Sequence, residues 1–94
     1  MARRNEQIDA DWRTYSQRFA TSLRAARDRA GLSQEDVAYR AGLTRYTYQK
    51  YEKGESRPGS PVNPTLRNLL ALSQVLGLPL DRLLPDAVPD LRSR

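Results

Sequence analysis

The 94-residue sequence contains no cysteine and no histidine. Disulfides, zinc sites built on those ligands, and catalysis by a thiolate or an imidazole are thereby excluded. No apolar run is long enough to cross a bilayer. The opening MARRNEQIDADW is charged and polar and lacks the apolar centre of a secretory signal, so a cytoplasmic location is expected and no membrane. Lysine is scarce, at two residues against fourteen arginines. The net charge is nonetheless +5, from sixteen basic and eleven acidic side chains. That balance favours polyanionic partners. Arginine in particular suits bidentate contact with phosphate or guanine.

A chain of this length makes one domain. Ile8, Trp12, Tyr15, Phe19, Leu23, Ala26 and Ala30 recur at alternating spacings of four and three, the signature of an amphipathic helix. That helix is expected over about 9–30, behind a flexible arm at 1–8. Gly31 is its stop. Ser33 as N-cap, with Asp36 three residues on, opens a second helix over about 34–41 that ends at Gly42. Thr44 caps a third over about 45–53, and Gly54 terminates it. GESRPGSPVNP reads as loop, without strands. A leucine-rich fourth helix follows at about 65–76. Its leucines cover more than half the circumference, so burial from two sides is expected. LPLDRLL allows a short fifth helix at about 80–84, and residues 85–94 read as a flexible tail.

On a wheel of 100° per residue, Tyr48, Tyr51 and Glu52 share one side of the third helix. Arg45, Tyr46, Gln49, Lys50 and Lys53 share the other. The second set holds the side chains that read base edges: Arg or Lys for guanine, Gln for adenine, an aromatic edge for the thymine methyl. The bland alternative is an ordinary solvated face. A helix so short does not stand alone and needs the second helix as a brace. Ser33 and Asp36 read as a cap, not a catalytic pair, and no carboxylates converge. Neither an enzyme activity nor a metal or cofactor is expected.

Residues Gln34 to Lys53 resemble the helix-turn-helix unit of the Cro/repressor (XRE-like) family of bacterial and phage DNA-binding proteins. The family's twenty-residue pattern is met by Val37, the small Ala38, Gly42, Leu43, Tyr48 and Tyr51. LSQEDVA, YEKGESRP and LLALSQVLGLPLDRLL resemble the family too, so the likeness covers about residues 17–84. It implies an all-α, five-helix, lambda-repressor-like DNA-binding domain over 9–84, with the helix-turn-helix at helices two and three. It further implies a transcriptional regulator that binds a partly palindromic operator on double-stranded DNA as a homodimer. Carried over, Arg45, Tyr46, Lys50 and Gln49 read bases, while Gln34 and Thr44 hold phosphates at helix N-termini. Glu52 and Arg27 correspond to the family's buried ion pair. Two departures stand out. The 54–64 loop is long, which brings Arg57 and Ser60 into consideration as backbone contacts, against a surface insertion with no role. The first helix is extended, so that Trp12 and Tyr15 pack on helix five or on a second subunit. LPLDRLLPDAV, with Leu80, Leu83, Leu84 and Val88, and the Ile8–Trp12–Tyr15 stripe are the candidate dimer seam. Arg3 and Arg4 could form a minor-groove arm or a simple leader. The rival reading on the same fold is an antitoxin or adaptor. Its protein partner would be a toxin, and RNA polymerase is a further candidate contact.

Overall fold

The computed structural model describes residues 5–93. Arg3 and Arg4 lie outside them. The element order is α1 (Asn5–Ala30), α2 (Gln34–Arg40), α3 (Arg45–Lys53), β1 (Glu55–Arg57), β2 (Ser60–Pro61), α4 (Leu66–Leu76) and α5 (Leu80–Leu83). Among the described residues five helices carry the fold, as the apolar periodicity, the caps and the family resemblance implied. One start differs: α1 begins at Asn5, so residues 5–8 are helix rather than arm. No proline or glycine interrupts them, and Gln7 Nε2 donates to Asp11 Oδ1 at 3.0 Å, one turn on. Such a pair supports a helix end.

The helix starts are built as local chemistry requires. Ser33 and Asp36 form a complete capping box. Asp36 N donates to Ser33 Oγ at 3.0 Å, and Ser33 N donates to Asp36 Oδ2 at 3.2 Å. The bond from the Ser33 backbone N–H, and after it the Ser33 side chain, hold the Asp36 carboxyl below its ordinary value. Thr44 Oγ1 accepts from Thr47 N at 3.0 Å, and Thr65 Oγ1 from Asn68 N at 3.1 Å. Each satisfies one of the orphan donors of a helix N-terminus. Gly42 turns the chain between α2 and α3 at φ +73, and Gly54 ends α3 at φ +78. Both are left-handed conformations that cost little only without a Cβ.

The expected strand-free loop is instead a hairpin. β1 and β2 pair antiparallel, with Glu55 opposite Pro61 and Arg57 opposite Ser60. Pro58 followed by Gly59, at φ +81, is the sequence of a tight turn. The hairpin is tied to α1. Ser16 Oγ donates to Val62 O at 3.2 Å, and Arg13 Nη2 to Gly59 O at 3.5 Å. Glu55 Oε2 accepts from Gly59 N at 3.2 Å. Val62 then enters the core.

The core joins Phe19, Leu23 and Ala26 of α1 with Val37 and Ala38 of α2, Tyr48 and Tyr51 of α3, and Leu72, Leu76 and Leu83. Two expectations about apolar surface are corrected. Helix α4 buries Leu72 and Leu76 but leaves Leu66 65 % and Leu70 42 % exposed, so it is covered from one side. Leu83 is buried, and Leu80 and Leu84 pack against the same core. Of that proposed seam only Val88 stays open, at 72 %. The Trp12–Tyr15 stripe is used within the chain. The two rings stack at 6.1 Å, and Tyr15 OH donates to the carbonyl of Pro85, just past α5, at 2.9 Å. No helix among the described residues is long and apolar enough to cross a membrane.

This division of the leucines is testable by chemical denaturation. Leu72→Ala should lose roughly 2–5 kcal/mol, the usual consequence of a core cavity. Leu66→Ala should change monomer stability by no more than about 0.5 kcal/mol. Equal losses would contradict the packing described.

Candidate nucleic-acid interface

Helix α3 has two unlike sides. Tyr48, Tyr51 and Glu52 are buried. Arg45, Tyr46 and Lys53 are exposed, and Gln49 and Lys50 half-buried. Tyr46, 68 % exposed, carries the Lys50 ammonium 4.2 Å above its ring. That distance allows a cation–π contact between the two side chains.

Two clefts border this side. One, of about 330 Å³, is lined by Arg24, Gln34, Tyr46, Gln49, Lys50, Glu52 and Lys53. The other, of about 200 Å³, lies between α3 and the hairpin. Tyr46, Lys50 and Lys53 form one wall and Glu55, Ser56, Arg57 and Pro58 the other. The fold therefore brings Gln34, Tyr46, Gln49, Lys50, Lys53 and Arg57 onto one surface. Thr44 and Arg45 line neither cleft; both are exposed at the start of the helix. Ser60 lies in β2, and its backbone carbonyl accepts from Ser56 Oγ at 3.5 Å.

Behind this surface sits Glu52. Arg27 grips its carboxylate twice, Nε to Oε2 at 2.6 Å and Nη2 to Oε1 at 3.1 Å. Gln34 Nε2 donates to Oε1 at 2.9 Å, and Tyr48 OH donates to Oε2. A carboxylate offers about four lone-pair sites, and here each has a donor. Burial by itself would push the Glu52 carboxyl up. The hydrogen bonds from Arg27, then Tyr48 and Gln34, more than offset that and leave it below its ordinary value. The Tyr48 hydroxyl is pushed up, first by burial and then by its bond to the carboxylate. Arg27 also donates to Leu32 O at 3.1 Å, and Arg24 Nη1 donates to the backbone carbonyl of Glu52.

Gln34, expected to hold a phosphate, also has partners behind this surface. Its side-chain amide donates inward to Glu52 and accepts from Gln49, which leaves its second side-chain N–H and its backbone N–H for a phosphate. Nothing in the spacing signalled this, because Gln34 and Glu52 stand eighteen residues apart. The Tyr48 hydroxyl is a different case: it stands four residues before Glu52 on the same side of α3, a spacing that does bring side chains together, although its ring was read only as core. Among the described residues no group of side chains is placed to hold a metal ion.

Residues 18–84 match the family model described as the helix-turn-helix domain. The chain belongs to this helix-turn-helix family. It is a small protein of the XRE-like kind, on the evidence of that match and of a curated relative. The relative is the SPbeta prophage-derived uncharacterized HTH-type transcriptional regulator YonR of Bacillus subtilis (strain 168), 38 % identical over 66 residues. The alignment covers 70 % of this chain and 56 % of the relative, so the chain spans little more than half of the relative's length. No solved structure matches the chain.

The saturated carboxylate makes two expectations. Glu52→Gln should destabilise the fold by roughly 3–5 kcal/mol, because the Arg27 charge is left without its counter-ion. The pH dependence has a definite direction. The folded carboxyl titrates below its ordinary value of 4.5, so between the two values the unfolded chain binds more protons. The contribution of Glu52 is complete above that ordinary value and is lost as pH falls through the folded one. Denaturant melts from pH 7 to pH 3 should show wild type losing stability over this acid range more steeply than Glu52→Gln. Parallel pH profiles would contradict the assignment.

Proposed function

We propose that this chain is a sequence-specific DNA-binding transcriptional regulator. The observation that carries the reading is the two-sidedness of α3. Its buried side is locked to α1 and α2 through Glu52, while its outer side presents Arg45, Tyr46, Gln49 and Lys50. A helix in that frame fits the major groove, where those side chains meet base edges. Thr44 and the backbone at the start of α3 would meet phosphate. Lys53 and Arg57, on facing walls of the hairpin cleft, would take phosphates on the flank. The relative's description as a transcriptional regulator supports the same assignment. Such a protein would work in the cytoplasm by occupying a promoter. The role is binding rather than catalysis.

The reading includes a homodimer on a partly palindromic operator, with half-sites about one helical turn, roughly 10 bp, apart. Two recognition helices then enter successive major grooves. With Leu80, Leu83 and Leu84 committed to the core, the exposed Leu66 and Leu70 of α4 are the apolar surface best suited to a second copy. Leu70→Glu should convert a dimer to a monomer by mass in solution. An unchanged mass would remove α4 from the seam.

Selection of bound duplexes from a random pool tests the central assignment. Wild type should yield a symmetric motif. Arg45→Ala and Lys50→Ala should each relax one part of it, at about 1–3 kcal/mol per lost base contact. Lys53→Ala and Arg57→Ala should weaken binding evenly across sequences and each lower the salt slope by about one. A pool with no enriched motif, and no difference between variants, would overturn the reading and favour a protein-binding role for the same fold.

A further inference from the structure

Gln49 stands on the outer side of α3, and its amide is oriented from behind. Glu52, as a carboxylate, only accepts hydrogen bonds. Gln34 must therefore turn its NH2 toward Glu52, and Nε2 lies 2.9 Å from Oε1. The Gln34 carbonyl oxygen is then directed at Gln49, whose Nε2 donates to it at 3.4 Å. Each amide has one orientation compatible with its neighbour. Reversing Gln49 would set its carbonyl oxygen against that of Gln34. Reversing Gln34 would set its oxygen against the carboxylate.

We propose that Gln34 is a positioning residue for specificity, holding Gln49 with its carbonyl oxygen and second N–H toward the groove so that Gln49 reads adenine and rejects guanine. This rests on the reading that α3 lies in the major groove. Adenine offers the N6 amino group as donor beside N7 as acceptor, which one amide in this orientation matches with both of its free groups. Guanine offers two acceptors, O6 and N7. Meeting both would require Gln49 to turn its whole NH2 outward and break the bond to Gln34. The buried ion pair is thereby connected, through two amides, to the choice of a base.

Selection from a random duplex pool with wild type, Gln34→Met and Gln49→Ala tests this. Wild type should prefer adenine over guanine about tenfold at one position of each half-site. Gln49→Ala should lose the preference at that position alone. Gln34→Met, which cannot itself hydrogen-bond as an amide does, should admit guanine at the same position and leave the others intact. A Gln34→Met protein that keeps the adenine preference, or a motif in which no position responds to Gln49→Ala, overturns the proposal while the regulator reading stands. Absence of any motif with wild type overturns both. Should Gln34→Met fail to fold, NMR of the DNA-free wild type decides. Nuclear Overhauser contacts from the Gln49 side-chain NH2 to the Gln34 side chain support the proposal, and their absence in a fully assigned spectrum overturns it.

Discussion

A carboxylate inside a small helical protein is stable only if every lone pair is met, and Glu52 meets all four. Arg27 comes from α1, Gln34 from α2 and Tyr48 from α3 itself. Three helices are thus registered on one pair of oxygen atoms. The group need not add net stability, since apolar residues of the same shape can do as well. Its value is geometric. Any sliding or rotation of α3 against α1 and α2 would leave a buried charge or a buried donor without a partner.

The surface inherits that geometry. Helix α3 has nine residues, too few to hold a shape unaided. Its direction is set by Tyr48 and Tyr51 in the core and by the Thr44 cap. Tyr51 OH also accepts from Asn68 Nδ2 of α4 at 2.8 Å. At its far end Gln17 Nε2 donates to Lys53 O at 3.3 Å, and Arg24 donates to the Glu52 carbonyl. The extended α1 therefore braces both the C-terminus of α3 and the hairpin after it. A base-reading surface needs side chains whose positions are fixed before the ligand arrives, because ordering them on binding costs free energy. The cation–π pair of Lys50 and Tyr46 and the amide pair of Gln49 and Gln34 are two local answers to that requirement.

Much of this was legible in the sequence where the signal is local. Caps, stops and the apolar stripe of α1 depend on residues three or four apart, and Ser33, Thr44, Gly42 and Gly54 stand where their chemistry places them. Sidedness of α3 follows from the same periodicity. The pairing of Arg27 with Glu52, twenty-five residues apart, came from the family resemblance and not from spacing. Strands β1 and β2 were missed because three and two residues are too few to show alternation, and Glu55, Ser56 and Arg57 are all polar. Leucine content misled at α4 and α5. A count of leucines does not say which neighbour covers them: Leu83, given to a second subunit, closes the core, while Leu66 and Leu70, given to the interior, face out. The inward turn of Gln34 is a tertiary fact with no local trace.

The measurement that tests the account most directly is NMR titration of the labelled protein with a duplex recovered by selection. The account predicts that the largest shifts fall on Arg45, Tyr46, Gln49 and Lys50, with smaller ones on Lys53 and Arg57. The Tyr48 ring and the Arg27 guanidinium should hold their positions, because the group around Glu52 is already complete without DNA. Shifts concentrated on α4 or residues 85–93, with α3 unmoved, would contradict it.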